Sequence, residues 1–382
     1  MQKSFKPFTF EKIYRAYLDC RKTKRKTINA IKFEYNLERN ILLLQKESET
    51  KKYKPGRSIC FVVKEPSPRE IFAASFKDRV VHHLLVREVE VMWERVFIFD
   101  SFACRKNKGT HSAIERLKTL AKRASENYGR KVFYLQLDIS GFFMAIDRNI
   151  LYSLFEKLVS KQNKSSQWKN DILWLAKTII FHKPTDNYVV KGNPSLFDLI
   201  PPKKSLFNSL EYKGLPIGNH SSQFFANIYL NELDQFIKRE LKCRYYVRYV
   251  DDFILFDENE EKLKELERKI NHFLKTNLDL ELNLNKTKLQ PINKGIEFLG
   301  YFVKPNCILV KNKVVSRFKN KLYNLKEENI KKTQAMINSY FGHFNHAFSF
   351  NLRKDIYKNH LGNFHENFLA KSKSHYSSLQ IK

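Results

Sequence analysis

The chain has 382 residues, 42% of them apolar, with 32 Phe and 18 Tyr, which is enough to bury two or three sizeable cores and excludes a disordered tail protein. Seventy Lys and Arg against 40 Asp and Glu leave a formal charge of +30, more than solubility requires. Nucleic acid is the first partner such a surplus suggests, although a Lys-rich solvated surface would give the same number.

In chain order, residues 1–52 form a basic helical segment in which Leu37, Ile41 and Leu44 keep helical spacing, ended by the breaker Lys54-Pro55-Gly56. Residues 59–63 read as a short strand closed by Pro66 and Pro68, and helix returns over 73–93. Over 132–139, Phe133, Leu135, Leu137 and Ile139 alternate with Tyr134, Gln136 and Asp138, so a strand is expected with Asp138 on the face opposite the apolar set. Residues 150–182 read as helical, while 183–213, with Pro184, Pro194, Pro201 and Pro202, read as an irregular connection. Phe225, Tyr229, Leu233 and Phe236 make one helix face, and 245–256 reads as two strands joined by a tight turn at Asp251-Asp252. From about 311 the chain turns helical and basic, with Phe318, Leu322 and Leu325 on one stripe and Ile337, Phe341, Phe344 and Phe348 on another. A domain boundary is expected near 310, giving segments 1–52, 53–310 and 311–382.

Five cysteines lie far apart with no CxxC pair or zinc-type His spacing, so they are expected to be reduced and mostly packed. No stretch approaches 18 uncharged apolar residues, and the expectation is a soluble, cytoplasmic protein with no membrane contact. A Walker phosphate loop and an HExxH helix are both absent.

Hard cations that serve phosphoryl transfer need oxygen ligands, and three Asp converging from a strand end and a hairpin turn would suffice. An Asp pair at a turn is, taken alone, usually just solvated. The ordered set is more specific: LQLDISGFF at 135–143, GLPIGNHSSQFFANIYL at 214–230, YVDD at 249–252 and EFLGY at 297–301.

These segments resemble, in order, the polymerase motifs of reverse transcriptases, over about residues 53–350. The resemblance implies an α+β right-hand fold, with fingers and palm made of antiparallel sheet plus helices and a small helical thumb. It implies an RNA-directed DNA polymerase that uses two Mg²⁺ ions, with Mn²⁺ able to substitute, on Asp138, Asp251 and Asp252, with Ile139 beside Asp138 as a further metal contact. Lys286, in LNLNKTK, is similar to a lysine that protonates pyrophosphate. For the incoming nucleotide the resemblance implies Lys64 and Arg69 as a triphosphate clamp, Phe143 as a steric gate against the 2′-hydroxyl, and Ile217, Gly218 and Gln223 of the glycine loop. For the nucleic acid it implies Arg79, Arg105, Lys108, Tyr249, Leu299 and Gly300, with Arg79 and Arg105 contacting template or buttressing the fingers.

Most reverse transcriptases have Gln where this chain has Ile217, and Ser-Pro where it has Ser222-Gln223. The pattern IGNxxSQ resembles the enzymes of diversity-generating retroelements. That branch implies error-prone, adenine-mutagenised cDNA made from a template-repeat RNA for diversification of a target gene. Its partners would be template RNA, a primer 3′ end, the cDNA product and a basic, oligomeric accessory variability protein. The alternatives are another prokaryotic reverse transcriptase, for instance one in antiphage defence, and a non-catalytic RNA-binding relative.

Overall fold

The structure is a computed structural model that describes residues 6–22, 24–325, 329–372 and 375–382. Helix α1 (Phe10–Arg21) starts where the Thr9 hydroxyl caps the Lys12 N–H, and α2 (Ile28–Tyr35) and α3 (Leu37–Glu49) follow. Their apolar faces carry Ile13, Tyr17, Phe33, Ile41 and Leu44, and these merge with the main core rather than forming one of their own. Phe33 and Tyr17 lie 5.3 and 6.3 Å from the Phe76 ring at the start of α4 (Phe76–Glu94).

Between α3 and α4 the hairpin of β1 (Ser58–Val63) and β2 (Arg69–Ala73) turns through Pro66 and Pro68. After α4 come α5 (Thr110–Ala124), β3 (Phe133–Asp138), the short α6 (Phe142–Ala145), α7 (Arg148–Ser160) and α8 (Ser166–Ile180). The segment expected to be irregular holds a strand, β4 (Tyr188–Val190), which pairs parallel with β1 and completes a sheet of order β2-β1-β4. Three residues are too few for a periodic signal to show.

Helix α9 (His220–Gln235) is buried on almost every side. It leads to β5 (Tyr246–Tyr249) and β6 (Asp252–Asp257), then α10 (Glu260–Leu278) and β7 (Lys288–Pro291). These strands and β3 make an antiparallel sheet of order β5-β6-β3-β7, with Leu135 opposite Leu255 and Asp138 opposite Asp252. Successive side chains of these strands point to opposite faces, and both faces are covered. Leu135, Leu137, Phe253 and Leu255 join the core with α4, α7, α9 and α10, whereas Tyr134, Val247 and Ile254 join a second core under α5.

A small sheet of β8 (Ile296–Phe298), β9 (Tyr301–Val303) and β10 (Ile308–Val310) extends the second core. Beyond it, α11 (Asn312–Tyr323), α12 (Ile330–Phe344), α13 (Phe350–Asp355) and the pair β11 (Phe368–Ala370) and β12 (Leu379–Ile381) enclose a third core. Phe318, Leu322, Ile337, Phe341 and Phe344 line it as their spacing requires. Phe348 does not, because α12 ends at Phe344 and the change of direction leaves that ring 79% exposed. All five cysteines are free thiols, but Cys104 is exposed rather than packed. Among the described residues no helix is long and apolar enough to cross a membrane.

Candidate active site

Pairing of β3 with β6 sets Asp138 directly across from Asp252, and the Ile139 N–H donates to the Asp251 carbonyl at 3.3 Å. Three acidic side chains distant in the chain therefore meet at one end of the sheet. Tyr249 pairs with Asp252, so Val250 and Asp251 form the two-residue turn. Val250 has φ 55, a left-handed conformation that two-residue hairpins usually give to glycine. For a β-branched residue this costs about 1–3 kcal/mol.

Burial pushes the Asp251 carboxyl up to about 6, with the charge of Asp138 adding to it. Burial also pushes Asp252 up, to about 7, with the charges of Asp251 and Asp138 adding to it, while the Gln136 amide that donates to Asp252 Oδ1 at 3.0 Å pulls it down. Two carboxyls that resist ionisation side by side need a cation to become charged together. Lys286 supplies one to Asp138: its ammonium lies 2.9 and 2.8 Å from the two carboxylate oxygens, and the Asn283 amide donates to Oδ1 at 3.2 Å. Among the described residues no group of three or more His, Cys, Asp or Glu is arranged to hold a metal ion. The expected three-carboxylate cage is thus not preformed, because Lys286 takes the Asp138 carboxylate. The donor chemistry still suits a hard divalent cation, since all three groups are oxygen ligands and burial together with neighbouring carboxyls raises two of them, an effect that such an ion relieves. Lys286 is more than half exposed, so it is free to swing out of the way.

The residues expected on the nucleotide side are tied to one another around β2 and the glycine loop. Gly141, in the left-handed region, starts α6, which carries Phe143. The Phe143 carbonyl accepts from the Leu215 N–H at 2.8 Å, which ties this helix to the glycine loop. Phe143 and Ile217 both pack against the small core of Cys60, Phe72, Met144 and Leu206. The Ile217 carbonyl accepts from the Phe72 N–H at 2.8 Å, and a Cβ on Gly218 would lie 2.6 Å from Ile71 Cγ2. Gly218 is therefore required for the loop to lie against β2. Lys64 and Arg69 flank the β1–β2 turn, Lys64 exposed and Arg69 half-buried and paired with Val63 across the hairpin. Neither forms an ion pair among the described residues, so both charges are available to a phosphate.

Gln223 is exposed and, with Arg79, His83 and His220, lines a recess of about 250 Å³ on α4 and α9. The Arg79 Nε donates to the Ala74 carbonyl at 2.9 Å, holding the turn from β2 into α4. Arg105 does not face a template. Its side chain is 5% exposed and grips Glu94 and the carbonyls of Ile98 and Ser101, so it braces the loop after α4. Lys108 is likewise turned inward, donating to the Phe99 carbonyl over the Phe99 and Phe102 rings; burial, with Arg105 adding, holds its ammonium down to about 8.

Tyr249 shares a hydrogen bond of 3.1 Å with the Thr110 hydroxyl at the start of α5. Leu299 and Gly300 form the β8–β9 turn, both with positive φ. The Gly300 Cα sits under the His343 ring, which a Cβ would meet at 3.2 Å. His343 in turn stacks on Tyr301 at 4.2 Å, and the Tyr301 hydroxyl donates to the His343 carbonyl at 2.8 Å. This joint was not foreseen; its only trace in sequence is the aromatic run SYFGHFNHAF.

Residues 51–303 match the family described as Reverse transcriptase (RNA-dependent DNA polymerase). The chain belongs to the reverse transcriptase family. It is similar to the protein YkfC of Escherichia coli, at 24% identity over 65% of this chain and 66% of that one. It is also similar to a putative COX1/OXI3 intron 2 protein of Saccharomyces cerevisiae, at 21% identity over 66% of this chain and 32% of the other. The reverse transcriptase thus spans just under two thirds of the first relative's length and about one third of the second's. Among solved structures, a telomerase of Candida albicans in complex with a fragment of telomeric RNA gives a TM-score of 0.46 at 12% identity, over 80% of this chain and 59% of that one. The largely antiparallel sheets packed with helices make the α+β fold of this family.

Proposed function

We propose that this reverse transcriptase extends a primer 3′ end on an RNA template, adding deoxynucleotides at Asp138, Asp251 and Asp252. Divalent ions bound there would activate the attacking 3′-oxygen and take up charge on the departing pyrophosphate. The observation that carries this reading is the register of β3 against β6, which sets Asp138 across from Asp252, with Asp251 in the adjoining turn. Asp138 becomes a ligand when Lys286 releases it, and the released ammonium stays within reach of the leaving pyrophosphate, where it can give up a proton. Lys64 and Arg69 hold the triphosphate, and Phe143 lies against the sugar. Arg79, Gln223 and Gly218 border the template side, while Tyr249, Leu299 and Gly300 support the primer terminus. Base stacking and phosphate contacts dominate such binding, so affinity falls steeply with salt.

The biological role we assign is error-prone cDNA synthesis from a template-repeat RNA, with errors at adenines, assisted by a basic oligomeric accessory protein. Ile217 supports it. A Gln in its place could hydrogen-bond the nucleotide or its neighbouring strand, worth about 0.5–1.5 kcal/mol, or about two- to 13-fold in selectivity. Ile217→Gln is therefore expected to lower misincorporation opposite adenine by up to about tenfold; an unchanged error spectrum in sequenced cDNA rejects the role of Ile217.

The Asp138–Lys286 pair favours one competitor, an RNA-binding relative without chemistry. Mg²⁺-dependent extension on the native template RNA, with and without the neighbouring small protein, separates the two. Specific cDNA appearing only with both Mg²⁺ and the accessory protein supports the full proposal, whereas RNA binding with no extension under any condition supports the competitor.

A further inference from the structure

Arg248 lies on β5 two residues before the Val250-Asp251 turn, and its side chain is fully buried. A guanidinium in that position is destabilising unless it is paired and all five of its N–H groups find acceptors. They do. Nε and Nη2 fork onto the two Asp234 oxygens of α9 at 2.7 and 2.6 Å, and Nη2 also donates to Ser101 Oγ at 3.0 Å. Nη1 donates to Asn227 Oδ1 at 3.4 Å and to the Val250 carbonyl at 3.0 Å. The backbone of Arg248 adds two bonds to the loop before α5, from its N–H to Asp100 O and from Phe102 N–H to its own carbonyl. One side chain thus joins α9, the loop before α5 and the hairpin turn.

Of these contacts, the one to Val250 reaches the residue held at φ 55. The Val250 carbonyl belongs to the peptide unit whose nitrogen is that of Asp251, so fixing the carbonyl fixes the plane from which Asp251 projects. A valine left to itself would leave the left-handed region and rotate that plane. A planar fork can hold Asp234 and the turn carbonyl at once, which the point charge of lysine cannot. We infer that Arg248 is the positioning residue of the Val250-Asp251 turn: it clamps the strained Val250 peptide so that the carboxylates of Asp251 and Asp252 face Asp138. The inference rests on the metal-binding reading given above.

The test uses the full chain, with Mn²⁺ as probe titrated by electron paramagnetic resonance, alongside thermal melting. Arg248→Lys is expected to weaken Mn²⁺ binding about 10- to 100-fold, the usual effect of losing a group that orients ligands. Adding Val250→Gly to it should recover about tenfold, because glycine takes the left-handed conformation without penalty. A residue that merely fills the core would show no such rescue. Arg248→Lys with unchanged Mn²⁺ binding, or a double variant that binds no better than the single one, overturns the inference. If Arg248→Lys does not fold, Ser101→Ala removes one acceptor and keeps the ion pair. It leaves one buried N–H without an acceptor, so it should lower the melting temperature modestly and weaken Mn²⁺ binding roughly three- to tenfold, with Val250→Gly recovering the binding but not the melting temperature; unchanged binding overturns the inference. Wild-type protein that binds no Mn²⁺, or Asp251→Ala that binds it equally well, removes the metal reading itself.

Discussion

Replacing Asp252 with Asn should abolish nucleotide addition while making the metal-free protein harder to melt above neutral pH. The two effects have one origin. In a bound complex each carboxylate that faces a cation contributes several kcal/mol of charge stabilisation to the transition state, so its loss lowers the extension rate by about 10³-fold or more. Without the cation the same carboxylate is a liability. Burial and its acidic neighbours raise Asp252 to about 7, so the folded state binds this proton more tightly than the unfolded chain does. The stability carried by the protonated form is complete below the ordinary carboxylate range and is lost as pH climbs through about 7. The rise corresponds to at most about 4 kcal/mol, less when neighbouring carboxyls share it. Asn is neutral throughout. In chelator the variant's advantage in melting temperature should therefore grow from about pH 4 to about pH 7 and then hold, reaching several degrees near pH 8, and added Mg²⁺ should stabilise the wild type alone. Residual extension at more than a hundredth of the wild-type rate, or a melting difference that does not change with pH, would sink the assignment.

The same site shows what a sequence carries and what it withholds. The alternation through β3 placed Asp138 on the face opposite Leu135 and Leu137, because successive side chains of a strand point to opposite faces. A turn beside the Asp pair was legible because two short aromatic and β-branched runs flanked it, although the turn residues are Val250 and Asp251 and Asp252 already opens β6. Side-chain choices made across long separations were not. Lys286 pairing with Asp138, Arg105 closing on Glu94 and Arg248 on Asp234 each select one partner among many charges, and no local pattern encodes the selection. Arg105, in a segment that resembles the family's, left open a template contact or a buttress, and burial gives it the internal partners of a buttress. Phe348 had the right spacing for a helical stripe, but spacing does not reveal where α12 stops. The β4 strand stayed hidden for the complementary reason, since its partner β1 lies far away in the chain and supplies the pairing.

Removing the Phe143 ring should let ribonucleotides in. Phe143 is only partly buried: it packs with Phe142 at 5.4 Å and against the cluster of Cys60, Phe72, Met144 and Leu206, and it lies five residues after Asp138. Its backbone is held on both sides, by Gly141 at the helix start and by the Leu215 N–H, so the ring cannot retreat to admit a larger sugar. An extra oxygen pressed into that contact is an overpacking problem of about 1–3 kcal/mol, which is about five- to 150-fold in selectivity. Phe143→Ala is expected to raise the ratio of ribonucleotide to deoxynucleotide kcat/KM by that factor, with alkali-labile sites appearing in the product. Phe142→Leu is the control. Phe142 is 2% exposed and faces the core, so its replacement should lower the melting temperature and leave sugar selectivity alone. An unchanged ratio in Phe143→Ala, or an equal change in both variants, would assign the ring to packing instead of to the nucleotide.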